Sequence, residues 1–123
     1  MTKSEAVQAF LERCGSPVYA AASVPDHAEF PYTTYEMQTA AFGDGEVPIT
    51  VNAWFYTASE DIADAYCEQL SRLIGRGGVM LPCDDGAVWI KRGSPFAQRI
   101  KNTGEDMIKR RYINVSAEFF TED

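Results

Sequence analysis

The sequence predicts one α+β domain, residues 1–123, in which an antiparallel β-sheet of four to six strands carries two helices packed on one face. Two segments repeat apolar residues at helical spacing, several others alternate apolar and polar residues, and the strand pairs are joined by turns too short for a parallel crossover. With 46% hydrophobic and 24% charged residues in 123, the composition is that of a globular domain and excludes a disordered segment.

The first helix is predicted over residues 3 to 14. Thr2 and Glu5 have the spacing of a capping box, which satisfies free amide groups at a helix start. Gly15 and Pro17 then end the apolar pattern, and residues 18 to 22 follow as a short possible strand. Residues 23 to 29 have no periodicity and are predicted as a loop.

The second helix is predicted over residues 59 to 75. Ser59 is a favourable N-cap, the acids just after it suit a helix start, and Gly77 follows the last turn. The apolar stripe of this helix is expected to consist of Ile62, Tyr66, Leu70 and Leu73.

The first hairpin is predicted from residues 32 to 42 and 47 to 56, around the turn Gly43-Asp44-Gly45. In its second strand the odd-numbered residues are apolar and should face the core. Trp54 and Tyr56 then fall on the opposite face, where two large aromatic side chains either cover another element or meet a partner.

A second hairpin is predicted from residues 79 to 83 and 87 to 92, around Asp84-Asp85-Gly86. Residues 94 to 105 are polar and contain Pro95 and Gly104, so they are expected to form a surface loop. Residues 107 to 120 alternate again and form the last strand. Its core-facing residues are Ile113, Val115, Ala117 and Phe119.

The candidate chemical sites are weak. His27 is a single histidine in a loop and supplies one ligand where zinc needs three or four. Cys83 is next to two acids, which suppress its thiolate form. The run Gly75-Arg76-Gly77-Gly78 follows a helix C-terminus, where the helix dipole repels phosphate. We therefore expect no catalytic residue, no metal site, no cofactor and no enzymatic activity.

The three cysteines, Cys14, Cys67 and Cys83, have neither metal-ligand nor redox spacing and are expected to be structural free thiols. No apolar run is long enough to span a bilayer, and the first residues do not resemble a signal peptide. These patterns predict a cytoplasmic origin and no membrane association.

The charges are segregated along the chain, whose net charge is −7. Residues 1–71 contain eleven acids and two bases, whereas residues 72–111 contain nine bases and four acids. Such segments can pair within one molecule or between copies, or can remain solvated surface. A basic triplet opens the last strand, but in a chain with a pI of about 4.6 it is a weak nucleic-acid signal.

Four stretches together resemble a known family: residues 30–35 (FPYTTY), 54–56 (WFY), 86–96 (GAVWIKRGSPF) and 108–113 (IKRRYI). They are similar to the small tail proteins of siphophages and of prophages in Gram-positive bacteria, of the tail-terminator or tail-completion kind. The resemblance extends over nearly the whole chain, in element order as well as in these stretches, and includes no active-site motif.

The resemblance implies a subunit of a homo-oligomeric ring, six-fold in related phages, that caps the tail tube and joins it to the head connector. Its partners would be other copies of itself, the tail tube protein and the head–tail connector protein, while DNA passes through without specific binding. The expected location is the host cytoplasm during assembly and then the virion tail or neck. The residues expected at an oligomer or partner interface are Trp54, Tyr56, Arg110, Arg111 and Tyr112.

Two other functions remain open. A head-closure or other neck protein belongs to the same structural class. A small-ligand-binding α+β domain is a different class, in which Trp54, Tyr56 and Trp89 would line a pocket. For a ring through which DNA passes, we expect acids of residues 1–71 in the lumen and the basic segment turned toward a neighbouring subunit.

Overall fold

The computed structural model describes residues 1–101 and 104–123. The chain forms a six-stranded sheet in the order β1-β2-β3-β6-β5-β4, with two α-helices. The elements are α1 (Lys3–Glu12), β1 (Val18–Ala20), a short 3-10 turn (Ala21–Ser23), β2 (Tyr32–Met37), β3 (Glu46–Tyr56), α2 (Asp61–Ile74), β4 (Val79–Cys83), β5 (Gly86–Ile100) and β6 (Ile108–Thr121). The predicted α+β class is confirmed, with one exception to the antiparallel sheet: β1 pairs with β2 in parallel.

The core lies between one face of the sheet and the two helices, as predicted. The odd-numbered residues are buried there from Ile49 onward in β3 and from Arg111 onward in β6. Val51, Ala53 and Ile113 have no exposed surface. The ring of Phe55 packs edge-on against that of Tyr66 from α2, with centroids 5.5 Å apart. We call the opposite face of the sheet the outer face. Within the described residues, neither helix covers it.

Helix α1 begins with the predicted capping box. The Thr2 hydroxyl accepts the Glu5 amide at 3.1 Å, and the Glu5 carboxylate accepts the Thr2 amide at 2.8 Å. Hydrogen bonding of the Glu5 carboxylate to the Thr2 backbone amide, with a smaller effect of the Thr2 side chain, lowers the pKa of Glu5. The helix ends at Glu12, two residues before the predicted end, because its last turn tightens into Arg13-to-Phe10 and Cys14-to-Leu11 hydrogen bonds.

Helix α2 differs from the prediction at its start. Its N-cap is Glu60, and Ser59 lies one residue earlier, where its hydroxyl accepts the Asp61 amide at 3.1 Å. Ile62 is 59% exposed and does not belong to the apolar stripe. The buried stripe, which also follows helical spacing, consists of Ala63, Tyr66, Cys67, Leu70 and Ile74.

The predicted loop over residues 94 to 105 is wrong for its first half, because β5 continues to Ile100. Residues 93–96 form an irregular stretch between the pairs Arg92–Val115 and Ala97–Ile113. Pro95 cannot donate a ladder hydrogen bond, and this bulge removes the need for one. Residues 102 and 103 of the predicted loop lie outside the described residues. The prediction for β2 is also too long, since pairing with β3 stops at Met37.

Candidate functional site

The aromatic side chains of the first hairpin meet on the outer face. Tyr32 is paired with Trp54 in the β2–β3 register, and their rings stack with centroids 5.2 Å apart and planes 20° apart. Phe30, just before β2, lies 5.5 Å from the Tyr32 ring and 5.8 Å from the Tyr56 ring. We call Phe30, Tyr32, Trp54 and Tyr56 the aromatic cluster.

A cation is fixed on this cluster by the neighbouring strand. Arg110 is paired with Trp54 in the β3–β6 register, and its guanidinium carbon lies 5.4 Å from the centre of the Trp54 ring. Its Nε donates to the Asn52 side-chain oxygen at 2.9 Å. Tyr112 follows on the same face, opposite Asn52, and is half-buried.

The aromatic cluster is only partly covered by its own chain. Tyr56 is 55% exposed and Phe30 is 38% exposed, although they belong to a group of four packed rings. Contiguous exposed aromatic surface next to a fixed cation is typical of a contact surface for another protein. The cluster presents aromatic rings and a guanidinium, groups that suit binding to another surface.

Arg111 points to the other face, as the alternation predicted, and is 3% exposed. Its guanidinium lies 2.7 Å from a Glu60 carboxylate oxygen and 2.8 Å from an Asp64 carboxylate oxygen, at the start of α2. The hydrogen bond from Arg111 is the main cause of a lowered pKa of Asp64. Arg111 therefore holds α2 on the sheet, and we do not retain it as a partner-binding residue.

The segregated charges pair in part within the molecule. Lys91 forms an ion pair with Glu46, and Arg99 pairs with Asp64 at 3.1 Å. With Arg111, three cations of the basic segment are thus bound to acids of residues 1–71. The basic segment consequently has fewer cations for a neighbouring subunit than its composition indicates.

The other candidate residues do not converge. His27 is exposed, and in the described ranges no three His, Cys, Asp or Glu side chains are grouped to hold a metal. Cys14, Cys67 and Cys83 are free thiols, and burial raises the pKa of Cys67 to about 11. Neither helix of the described chain is long and apolar enough to cross a membrane.

A ligand pocket shared by Trp54, Tyr56 and Trp89 is not formed. Trp54 lies opposite Arg110 in β6, whereas Trp89 lies opposite Glu118. Eight residues of an extended strand span about 26 Å, so the two tryptophans lie at opposite ends of the sheet.

Sequence analysis missed Phe30 and Tyr32 as part of the cluster. The pairs of β2 and β3 are centred on Gly43, so Tyr32 lies opposite Trp54. Counting from Asp44, the middle of the predicted turn, pairs Tyr32 with Tyr56 instead, so the hairpin pattern did not fix the partner of Tyr32. Phe30 lies before the strand, and its position depends on the path of the loop that precedes β2. No sequence period predicts that path.

Comparisons with known proteins found a likeness in structure alone. No family model and no curated protein sequence matches this chain. A chain in the structure of the virion of a native gene transfer agent (GTA) particle superposes with a TM-score of 0.58 at 17% sequence identity. The match covers 93% of this chain and 94% of that chain. The two chains therefore share a fold over nearly their whole lengths.

Proposed function

We propose that this protein is a structural subunit of a phage-like virion. It would form a ring that caps the tail tube and joins it to the head connector. The observation that supports this most is the full-length likeness in fold to a chain of a virion. The four sequence stretches that resemble phage tail proteins support the same class of protein. This second line of support comes from residue identities and not from backbone shape.

The outer face gives this proposal a physical basis. A sheet face with a partly exposed aromatic cluster and a fixed arginine is suited to binding a protein surface. The buried core lies on the other face of the sheet and does not include the cluster. The cluster is thus available for assembly without unfolding any element.

The proposal is tested with particles that lack this protein. Deleting its gene should leave tails that are not joined to heads and tubes of uncontrolled length, as seen by electron microscopy. Normal joined particles from the deletion strain would contradict the proposal.

The head-closure alternative predicts a different distribution of the protein between unjoined parts. A tail terminator should remain on the ends of isolated tails, whereas a head-closure protein should remain on DNA-filled heads. Labelled antibody against the protein, applied to both fractions, distinguishes the two roles.

The proposed lumen also predicts weak contact with DNA. With a net charge of −7 and acids facing the channel, the ring should not retain duplex DNA. A gel-shift assay at about 0.15 M salt, where the screening length is roughly 8 Å, measures this. Tight binding of duplex DNA would contradict the acidic lumen.

A further inference from the structure

A second apolar surface lies at the far end of the outer face. Phe42, in the turn of the first hairpin, is 73% exposed, and its ring lies 6.1 Å from that of Phe120 at the end of β6. An open cleft of about 440 Å³ borders them and is also lined by Asp85, Thr121 and Glu122. We call these five residues the distal cleft.

The aromatic cluster and the distal cleft are at opposite ends of the same strands. Arg110 of the cluster and Phe120 of the cleft are ten residues apart in β6, with both side chains on the outer face. Ten residues of an extended strand span roughly 33 Å. A single copy cannot bring the two surfaces into contact.

The two surfaces have opposite charge. Arg110 lies on the aromatic cluster and also lines a neighbouring cavity with Lys101 and Lys109, beside the acids Glu105 and Asp106. The other two cations of this cavity, Arg99 and Arg111, are already paired with Asp64.

The distal cleft contains two acids and no base. Within the described chain, Asp85 and Glu122 form no ion pair, whereas the nearby Lys91 is engaged by Glu46 and Glu118. The aromatic cluster with Arg110 and the distal cleft with Asp85 and Glu122 are therefore complementary: both are exposed and apolar, and their charges are opposite.

From this complementarity we propose that the aromatic cluster of one copy binds the distal cleft of the next. Tyr56 and Phe30 pack against Phe42 and Phe120, and Arg110 faces Asp85 and Glu122. One contact uses the cluster of one copy and the cleft of the other, so a bound pair still has one free cleft and one free cluster. Repetition of such a contact gives a closed ring when the rotation between copies closes. The inference depends on the proposed ring role and identifies the surfaces that form the ring.

The test uses one variant for each surface and a matched control. Tyr56→Glu disables the cluster, and Phe42→Glu disables the cleft. Ile62→Glu is the control, since Ile62 is 59% exposed on α2 and outside both surfaces. All three residues are exposed, so their replacement should leave the fold intact, which circular dichroism checks.

Sedimentation velocity then measures assembly, with the tail tube protein of the same particle added if the wild type needs it. Wild type and Ile62→Glu should form the ring, and Tyr56→Glu and Phe42→Glu should each stay monomeric. An equimolar mixture of the last two should form a one-to-one dimer and nothing larger, because only one intact cluster and one intact cleft can meet.

Four results would overturn this inference. Ring formation by either surface variant would show that the contact lies elsewhere, while leaving the proposed function standing. Self-dimerisation of Phe42→Glu, or a mixture that stays monomeric, would exclude a cluster-to-cleft contact. A wild type that stays monomeric even with the tube protein would contradict the proposed ring as well.

Discussion

Replacing Arg111 by methionine removes the cation that joins α2 to β6. The side chain is 3% exposed and its guanidinium contacts two carboxylates, those of Glu60 and Asp64. Removing one member of a buried ion pair typically costs about 3–5 kcal/mol, because the remaining charge is left unpaired. Here the two carboxylates are 37% and 44% exposed and can regain water. We therefore expect a loss of about 2.5 kcal/mol, or about 10 °C in Tm for a domain of this size.

Urea denaturation of dilute, monomeric protein measures this change through the midpoint at unchanged slope. Arg110→Met is the matched control, since it makes the same change one residue away on the outer face. Its cost should be about 1 kcal/mol or less, from one cation–π contact and one hydrogen bond. Equal costs for the two variants would refute the assignment of Arg111 as the residue that holds α2.

The same ion pairs predict a pH dependence. Arg111 lowers the pKa of Asp64 in the folded protein, so the folded state binds a proton less readily than the unfolded state. The stabilisation is complete above the ordinary aspartate pKa, near pH 4, and is lost as the pH falls through the lowered folded value. Acidification from pH 5 to pH 3 should therefore destabilise the wild type more than Arg111→Met. Parallel curves for the two proteins would contradict this mechanism.

Three further predictions concern a buried hydroxyl, two turn glycines and a buried thiol. Tyr66→Phe removes a buried hydroxyl that lies 2.8 Å from the hydroxyl of Thr33. The free energy of unfolding, measured by urea denaturation, should fall by about 1 kcal/mol. An unchanged midpoint would show that this hydrogen bond does not stabilise the protein. Gly86→Ala should lower the free energy of unfolding by about 3 kcal/mol, because the added Cβ would lie 1.9 Å from the backbone oxygen of Phe120. Gly43→Ala, with open space around it, should lower it by about 1 kcal/mol. Equal costs would contradict the close contact at Gly86. Cys67, with a pKa of about 11, should resist iodoacetamide at pH 8 until the protein unfolds. Rapid alkylation of Cys67 in the native protein, located by peptide mass spectrometry, would contradict a structural role, as would bound zinc or iron in elemental analysis.

The sequence by itself determined the elements whose causes are local. Thr2 and Glu5 are three residues apart, and their capping box is complete without any distant contact. The alternation along β3 and β6 likewise placed the odd residues in the core, because successive side chains of a strand point to opposite faces. These features were predictable because the period of an element and the chemistry of its ends depend on neighbouring residues.

The tertiary structure decided what depends on register and on contacts between distant segments. Helical spacing allowed two stripes in α2, and only packing against the sheet selected Ala63 over Ile62. The contact between Phe30 and Tyr56 depends on the path of the loop before β2, which the sequence pattern does not specify. Arg110 and Arg111 are adjacent and chemically identical, yet pairing of β6 with β3 placed Arg110 on the half-buried ring of Trp54. Arg111 became buried against two acids of α2, because a strand turns alternate side chains toward environments that only the assembled sheet creates.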